Sequence, residues 1–355
     1  MSYLVLGVMS GTSLDGIDLA LCNFELHREA WAFQIVAAET FGYSEEWYNR
    51  LENAHRFTAF DFIQLHNQYG RFTGQLINRF LDGRPKPQLI ASHGHTIFHQ
   101  PEKKMTFQLG NGSVIAAETG IDTVFDFRNL DVALGGQGAP LVPMGDRLLF
   151  ANYDYCLNLG GFANISFENE GKRLAWDISP VNIVLNYYAR KAGLQFDLDG
   201  NLGSAGQIND LLLNKLNQLD YYQQTHPKSL GREWIETVML PLIESHSLSL
   251  NDVLATLYEH IGTQIGMTLS GEKRQVLVTG GGAKNSFLLR KISKYAECKL
   301  IVPDDLIVDF KEALIFAFLG LLCYNGKPTA LSSVTGASCD NISGTLVRFK
   351  PDKCH

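Results

Sequence analysis

The stretch that decides the fold is Tyr3-Leu-Val-Leu-Gly-Val-Met-Ser-Gly-Thr-Ser-Leu-Asp-Gly-Ile-Asp-Leu-Ala-Leu-Cys-Asn-Phe24. It contains two apolar runs, Tyr3 to Met9 and Ile17 to Phe24, and apolar runs of this length are typical of buried strands. Between them lies a polar turn bounded by glycines, Ser10 to Gly16. The stretch therefore predicts a β-hairpin with a polar, glycine-rich turn.

A second hairpin of the same kind is predicted near the middle of the chain. Tyr155 to Leu159 and Ile165 to Phe167 are apolar runs that flank Gly160-Gly-Phe-Ala-Asn164. Each hairpin opens a half that continues with helical periodicity, which indicates a weak internal duplication. The chain has 355 residues, more than the roughly 250–300 at which one core usually splits. We therefore expect an α/β protein with two lobes, residues 1–145 and 146–355, and a ligand-binding cleft.

Composition excludes several classes of function. The net charge of −7 leaves no basic surface for a phosphate backbone, so nucleic acid is not an expected partner. The six cysteines are scattered without a Cys-x-x-Cys pair, which favours reduced thiols in the cytoplasm. No apolar run reaches the roughly 18 residues of a membrane span, so the predicted location is cytoplasmic and away from the membrane.

Three glycine turns at strand ends predict phosphate binding, because bare backbone N–H groups can approach an anion closely. The third turn, Thr279 to Asn285, follows a strand and is expected to open a helix, whose N-terminus favours negative charge. Within the first turn Asp15 is the predicted metal ligand. The residues expected to bind the nucleotide are Gly11, Thr12, Ser13, Asp15, Gly16, Asp18, Gly160, Gly161, Asn164, Gly280, Gly281, Gly282 and Asn285. Each turn alone could equally be ordinary hairpin geometry.

Two carboxylates are candidates for acid–base chemistry. Asp177 is expected to end a strand beside a helix start, with Ser179 as the N-cap and Pro180 at the first helical position. Glu312 is expected at the start of an apolar helix. Each carboxylate could instead have only a structural role. Asp177 could help to cap the helix that follows it, and Glu312 could be a first-turn acid that the dipole of its own helix favours.

Histidines follow the predicted strand Gln88 to Ser92. In an extended segment His93 and His95 would share a face and could ligate a metal such as zinc. No third ligand is evident, so hydrogen bonds to a sugar are the favoured interpretation. Zinc-dependent hydrolysis stays open as an alternative.

These motifs, in this order, resemble the anhydro-N-acetylmuramic acid kinase family. The segments that carry the resemblance are Val8 to Asp18, Ser92-His-Gly-His-Thr96, Gln108-Leu-Gly-Asn-Gly112, Asp126-Phe-Arg128, Gly135 to Pro140, Asn158 to Ile165, Pro227-Lys-Ser-Leu-Gly-Arg-Glu233 and Thr279 to Asn285. They span almost the whole chain.

The resemblance implies an actin-like (ribonuclease H-like) ATPase fold that uses ATP and Mg²⁺. The implied reaction opens the anhydro bridge of a muramic acid sugar with water and phosphorylates the freed 6-hydroxyl. Asp177 is the implied general base, whereas Glu312 is a second catalytic candidate on its place in the sequence alone. The implied sugar contacts are His93, His95, Thr96, Asn111 and Arg128, and Arg128 or His93 could hold the lactyl carboxylate. A homodimer is a further expectation.

The chain departs from the family pattern at two places. The family usually has Asp-Thr-Gly-Pro-Gly-Asn where this chain has Asp177-Ile-Ser-Pro-Val-Asn182, and more often Gln where His95 stands. A kinase for another amino sugar, or a nucleotide-regulated sugar-binding protein without turnover, therefore remains an alternative. Sugar-dependent consumption of ATP would separate these readings.

Overall fold

A computed structural model describes residues 1–11, 13–226, 228–269, 271 and 274–349. The chain divides into two compact units: a first unit of Met1–Phe150 with Phe310–His355, and a second unit of Ala151–Asp309. These units differ from the predicted ranges because the stretch after residue 309 groups with the N-terminal residues. Its helix packs tightly on the first sheet, where a Cβ on Gly7 would lie 1.9 Å from the carbonyl oxygen of Ala313.

The strands are β1 (Ser2–Ser10), β2 (Gly16–His27), β3 (Ala30–Gly42), β4 (Leu89–Gln100), β5 (Met105–Leu109), β6 (Thr123–Phe125), β7 (Tyr155–Leu159), β8 (Phe162–Asn169), β9 (Lys172–Pro180), β10 (Gln275–Thr279), β11 (Lys299–Ile301) and β12 (Thr345–Val347).

The helices are α1 (Glu45–Glu52), α2 (Ala59–Leu81), α3 (Gly112–Thr119), α4 (Asn129–Ala133), α5 (Val142–Leu149), α6 (Asn182–Lys191), α7 (Asn201–Ser204), α8 (Asp210–Asn217), α9 (Asp220–Gln223), α10 (Arg232–Trp234), α11 (Leu240–Glu244), α12 (Leu250–Thr268), α13 (Ser286–Tyr295), α14 (Asp305–Tyr324) and α15 (Ser332–Thr335). A π-helical turn, Ile235–Met239, joins α10 to α11.

Five strands of each sheet share one topology, and the first sheet adds β5 beside β4 and β12 beside β6. In the first unit β1, β2 and β3 pair antiparallel, while β4 pairs parallel with β1 and β6 pairs parallel with β4. In the second unit β7, β8 and β9 pair antiparallel, while β10 pairs parallel with β7 and β11 with β10. The mixed α/β class and both hairpins are therefore confirmed, and the duplication is clearer in the structure than in the sequence.

Each unit has its own apolar core. In the first, buried Leu65 and Tyr69 of α2 pack with Leu6 and Val8 of β1. In the second, α12 packs against the sheet. The spacing of Ser249 and Asp252 in the sequence is that of a capping box and predicts a helix start there, which is confirmed because the Ser249 side chain accepts a hydrogen bond from Asp252 N. No helix in the described part of the chain has the length and apolar character that crossing a membrane requires.

Candidate active site

The first glycine turn joins β1 to β2. The backbone of Gly11 has a conformation that other residue types can adopt. A Cβ added to Gly11 would come no closer than 3.4 Å to a neighbouring side chain. Gly16 differs, since its Cβ would lie 2.4 Å from the carbonyl oxygen of Phe41. Packing therefore requires glycine at 16 but not at 11, where close approach of a ligand is a separate reason for glycine.

Two polar residues of this turn face solvent. Ser13 and Asp15 are exposed, while Asp18 is half-buried on β2 and its Oδ1 accepts a hydrogen bond of 2.6 Å from Thr40. Predicted residue Thr12 lies outside the described residues. Asp15 is thus available to a ligand, and Asp18 is held in place by its neighbour strand.

Arg128 and His93 form a hydrogen-bonded pair in the first unit. Arg128 Nε donates to His93 Nε2 at 2.9 Å, and Arg128 Nη1 donates to the carbonyl oxygen of Gly138 at 2.7 Å. His93 Nδ1 must then carry the proton that is donated to the Gly94 carbonyl oxygen at 2.8 Å. Burial, together with the Arg128 charge, holds the pKa of His93 well below its usual range. His93 is therefore neutral, both its nitrogens are occupied, and none is left for a metal.

Burial also lowers the pKa of Arg128, to about 10, while Glu312 and Asp131 act in the opposite direction. The guanidinium remains charged at neutral pH. It is a cation in a partly desolvated setting, where an anionic group of a ligand would be attracted more strongly than in water.

Glu312 lies in the third turn of α14, seven residues after the helix begins at Asp305. The expectation of a helix start was wrong, since Asp304 caps the helix by accepting from Ile307 N at 2.9 Å. Part of Glu312 is exposed, yet the surrounding protein desolvates its carboxyl and raises its pKa. Asp18 adds to this rise, and Arg128 opposes it. Glu312, Arg128 and Asp18 therefore share one electrostatic environment in the first unit.

His93 and His95 do not share a face, contrary to the prediction. The pairing of β1 with β4 shifts register between Val8 and Ser10, around Gly94 at φ 76°. His93 packs on Phe316 of α14 at 4.6 Å between ring centroids, while His95 lies 6.4 Å from the ring of Tyr69 on α2. The bulge turns His95 to the α2 face. Among the described residues no group of three or more His, Cys, Asp or Glu side chains is placed to hold a metal.

Thr96 and Asn111, two predicted sugar contacts, already have partners. Thr96 Oγ1 accepts from Gln108 Nε2 at 3.5 Å. Asn111 caps α3 by accepting from Ser113 N at 2.9 Å, and its amide nitrogen donates to Asn67 Oδ1 at 2.8 Å. Asn111 has a structural role whatever it contacts in addition.

The second glycine turn joins β7 to β8. Gly161 is exposed, and a Cβ added there would meet its nearest neighbour at 3.8 Å, an ordinary contact. Val181 N and Ile183 N both donate to the Gly161 carbonyl oxygen, which ties the turn to the start of α6. On β8, Asn164 is the register partner of Asp177 on β9. The second turn and the candidate base are therefore built on one pair of strands.

Asp177 is held on one side only. Its Oδ2 accepts a hydrogen bond of 2.9 Å from Leu230 N, and its backbone carbonyl accepts one of 2.5 Å from the Tyr221 hydroxyl. Oδ1 has no hydrogen-bond partner among the described residues. Burial raises the pKa of Asp177, although the Leu230 N–H lowers it. One carboxylate oxygen is fixed and the other is open, as a general base requires.

The predicted helix start beside Asp177 was wrong. β9 continues to Pro180 and α6 begins at Asn182, with Val181 as the residue before it. Ser179 is buried within the strand and donates to the Pro180 carbonyl oxygen at 3.1 Å instead of capping a helix. The pKa of Asp177 is set by burial and the Leu230 N–H.

The third glycine turn packs against the end of β7. Gly280 has φ 81°, and a Cβ on Gly282 would lie 2.7 Å from that of Leu159, so both positions require glycine for the fold. Gly281 is exposed, and its nearest neighbour would be Asn182 Nδ2 at 3.9 Å. Asn285 is occupied, because it caps α13 by accepting from Leu288 N at 3.0 Å and donates to the Tyr258 hydroxyl at 2.9 Å.

Sequence reasoning missed the groups that support these side chains. Asp131, fully buried, accepts from Gly138 N at 2.8 Å, from Thr335 at 2.8 Å and from Asn341 at 2.9 Å, and so fixes the carbonyl that Arg128 contacts. Leu230 was visible only as part of a segment in the family resemblance. Neither residue has a pattern of its own in the sequence.

The sequence of this chain is similar to that of one protein family along almost its whole length. The chain matches the family model of anhydro-N-acetylmuramic acid kinase over residues 3–348. A relative of that name from Hydrogenovibrio crunogenus is 33% identical over 362 residues, covering 97% of this chain and 98% of the relative. Another, from Vibrio cholerae, is 34% identical over 375 residues, covering 98% and 99%.

Among solved structures, the activator of the 2-hydroxyisocaproyl-CoA dehydratase from Clostridium difficile with bound ADPNP is 13% identical, with a TM-score of 0.45. The match covers 89% of this chain and 94% of that one. The family assignment depends on the sequence matches, which run nearly from end to end at about a third identity. This chain belongs to the anhydro-N-acetylmuramic acid kinase family.

Proposed function

We propose that this kinase acts on 1,6-anhydro-N-acetylmuramic acid, using ATP to make N-acetylmuramic acid 6-phosphate with hydrolytic opening of the anhydro bridge. The observation that carries the proposal is Asp177, whose carboxylate is fixed through Oδ2, open at Oδ1 and raised in pKa by burial. A sugar kinase that must activate water needs such a base.

The sugar-binding role falls to the first unit. Arg128 is a cation in a desolvated setting, held by His93 and the Gly138 carbonyl oxygen. The lactyl carboxylate distinguishes muramic acid from ordinary amino sugars, and a guanidinium binds carboxylates well. Arg128 is therefore the proposed partner of the lactyl group, and His93 positions it.

The nucleotide-binding role is proposed for the three glycine turns. Gly11, Gly161 and Gly281 each have room for a Cβ and no positive φ, so neither backbone strain nor close packing accounts for glycine there. An unhindered backbone that meets phosphate or nucleoside accounts for all three. Mg²⁺ bound to the phosphates would neutralise their charge, with Asp15 as the proposed protein ligand.

The reaction proceeds in two coupled bond exchanges. Asp177 accepts a proton from water as the water oxygen bonds to the anomeric carbon and the bond from that carbon to the bridging oxygen breaks. The freed oxygen on carbon 6 bonds to the γ-phosphorus, and ADP leaves. The proton on Asp177 then passes to solvent, which balances the reaction of sugar, water and ATP to sugar phosphate and ADP.

The test is ADP release from ATP and Mg²⁺ in the presence of single sugars, with product masses recorded. We expect release with the anhydro sugar and a product heavier by one phosphoric acid unit, that is, by water and a phosphoryl group. Release with N-acetylmuramic acid or N-acetylglucosamine but not the anhydro sugar would favour the other amino sugar kinase. Sugar binding without any ADP release would favour a nucleotide-regulated sugar-binding protein without turnover.

A further inference from the structure

A chain of four polar side chains leads from the core of the first unit to His95. The Tyr69 hydroxyl lies 2.5 Å from the Tyr43 hydroxyl, which lies 2.7 Å from Ser10 Oγ, which lies 2.8 Å from His95 Nδ1. Ser10 is the last residue of β1 and directly precedes Gly11. Sequence reasoning gave no role to Ser10, Tyr43 or Tyr69.

The direction of the hydrogens in this chain follows from its buried end. Tyr69 is 1% exposed, and among the described residues its hydroxyl has no acceptor outside the chain. If the hydrogens ran from His95 towards Tyr69, the last phenol hydrogen would be buried with only Ser10 Oγ in reach, and that oxygen would already accept from His95 Nδ1, so the hydrogen would be poorly satisfied, which is costly. If they run from Tyr69 to His95, every hydrogen in the chain has an acceptor. The second direction is therefore favoured.

This direction fixes the state of the imidazole. Ser10 donates to His95 Nδ1, so the ring proton must be on Nε2. Burial lowers the pKa of His95 to about 4 and raises that of Tyr43 to about 12, so the histidine is neutral and the phenol protonated at neutral pH. His95 Nε2 has no partner among the described residues and is not sealed from solvent.

We infer that Ser10, Tyr43 and Tyr69 are positioning residues that hold His95 as a neutral Nε2–H donor for an acceptor oxygen of the sugar. A hydroxyl, an acetamido carbonyl or a ring oxygen would satisfy this donor, whereas a cationic group would be rejected. The inference rests on the proposed function for the identity of the ligand. The tautomer itself depends only on the fold.

The first arm of the test reads the tautomer without substrate. Protein labelled with ¹⁵N-histidine is studied by NMR, and His95 is assigned by its loss in the His95→Gln spectrum. We expect a protonated Nε2 and an unprotonated Nδ1. Ser10→Ala should abolish this preference and Ser10→Thr, which keeps a hydroxyl, should retain it. A protonated Nδ1 in the unaltered protein would overturn the inference, whatever the enzyme phosphorylates.

The second arm compares two amides of different reach. In His95→Gln an amide nitrogen can occupy the place of Nε2, whereas in His95→Asn it reaches only the place of Nδ1. We expect the KM for the sugar to stay within about threefold in the first and to rise about tenfold in the second. The KM for ATP should be unchanged, and thermal unfolding checks that both fold.

Equal KM values in the two variants, with the expected tautomer, would overturn the assignment of the donor to the sugar. If no sugar is turned over at all, the proposed function fails, and the NMR arm still decides whether the chain fixes the tautomer. The two failures are thus distinguishable.

Discussion

At the scale of the residue, burial acts in opposite directions on the two kinds of titratable group that matter most. It raises the pKa of Asp177, which favours the protonated carboxyl, and lowers that of His93, which favours the neutral ring. The Leu230 N–H partly reverses the effect on Asp177 because it stabilises the ionised form. Asp177 can therefore accept a proton near neutral pH more readily than an unperturbed carboxylate would.

Asp177→Asn tests this role. The amide keeps the shape of the side chain and cannot accept a proton, so sugar and ATP binding should survive. We expect kcat to fall about 100-fold to 10,000-fold, the usual range for loss of a general base. The measurements are the Kd values for sugar and for ATP, obtained by calorimetry, and kcat, each compared between the variant and the unaltered protein. A fully active variant would show that a residue other than Asp177 is the general base.

The pH dependence of kcat/KM follows from the same pKa. Only ionised Asp177 accepts a proton, so activity should fall as pH falls through its pKa. Because burial raises that pKa above the ordinary 3.8, the midpoint should lie at higher pH than that value. Glu312→Gln is the control, since burial raises that pKa too. If the fall in kcat/KM at low pH disappears in Glu312→Gln, the titrating group is Glu312 and not Asp177.

At the scale of the element, the first and third glycine turns each contain both glycine that the fold requires and glycine that it does not. Gly16 and Gly282 have neighbours that exclude a side chain, whereas Gly11 and Gly281 do not. The sequence alone shows only that glycines are present. The distances separate those that the chain needs from those that a ligand would need.

Gly281→Val is expected to raise the Kd for ATP about 10-fold to 100-fold while leaving thermal stability nearly unchanged, because Gly281 is exposed with space around it. Gly282→Ala is the matched control. Its Cβ would lie 2.7 Å from that of Leu159, so it should lower stability by about 1–3 kcal/mol. An unchanged ATP affinity in folded Gly281→Val would refute the nucleotide assignment of this turn.

Asp15→Asn should raise the Mg²⁺ concentration needed for half-maximal turnover, or abolish turnover, since an amide oxygen is a weaker ligand than a carboxylate. The measurement is rate against Mg²⁺ at fixed ATP. Asp82→Asn, an exposed aspartate in the same unit, provides the control. A titration like that of the unaltered protein would place the metal ligand elsewhere.

At the scale of the whole molecule, the sequence predicted what short-range patterns encode. The apolar runs beside the turns at Gly11 and Gly160 located both hairpins, and Ser249 with Asp252 located the start of α12. The identity of the candidate base came from the family motif. These features depend on residues close together in the chain.

What could not be predicted depends on pairing between distant residues. The bulge at Gly94 exists only because β4 pairs with β1, and it separates two histidines that an extended strand would align. The return of residues 310–355 to the first unit depends on α14 packing against Gly7. Likewise, Leu230 reaches Asp177 across 53 residues of chain. No local pattern records these contacts.

The measurement that tests the central claim most directly is turnover of the anhydro sugar in ¹⁸O-labelled water, quenched within minutes and analysed by fragmenting the product in a mass spectrometer. If water opens the bridge, one ¹⁸O must appear on the anomeric carbon and none in the phosphate, because the bridging oxygen becomes the ester oxygen on carbon 6. A label in the product phosphate, or a product whose sugar carries no label, would contradict hydrolytic opening. The enzyme would then phosphorylate the sugar by another mechanism.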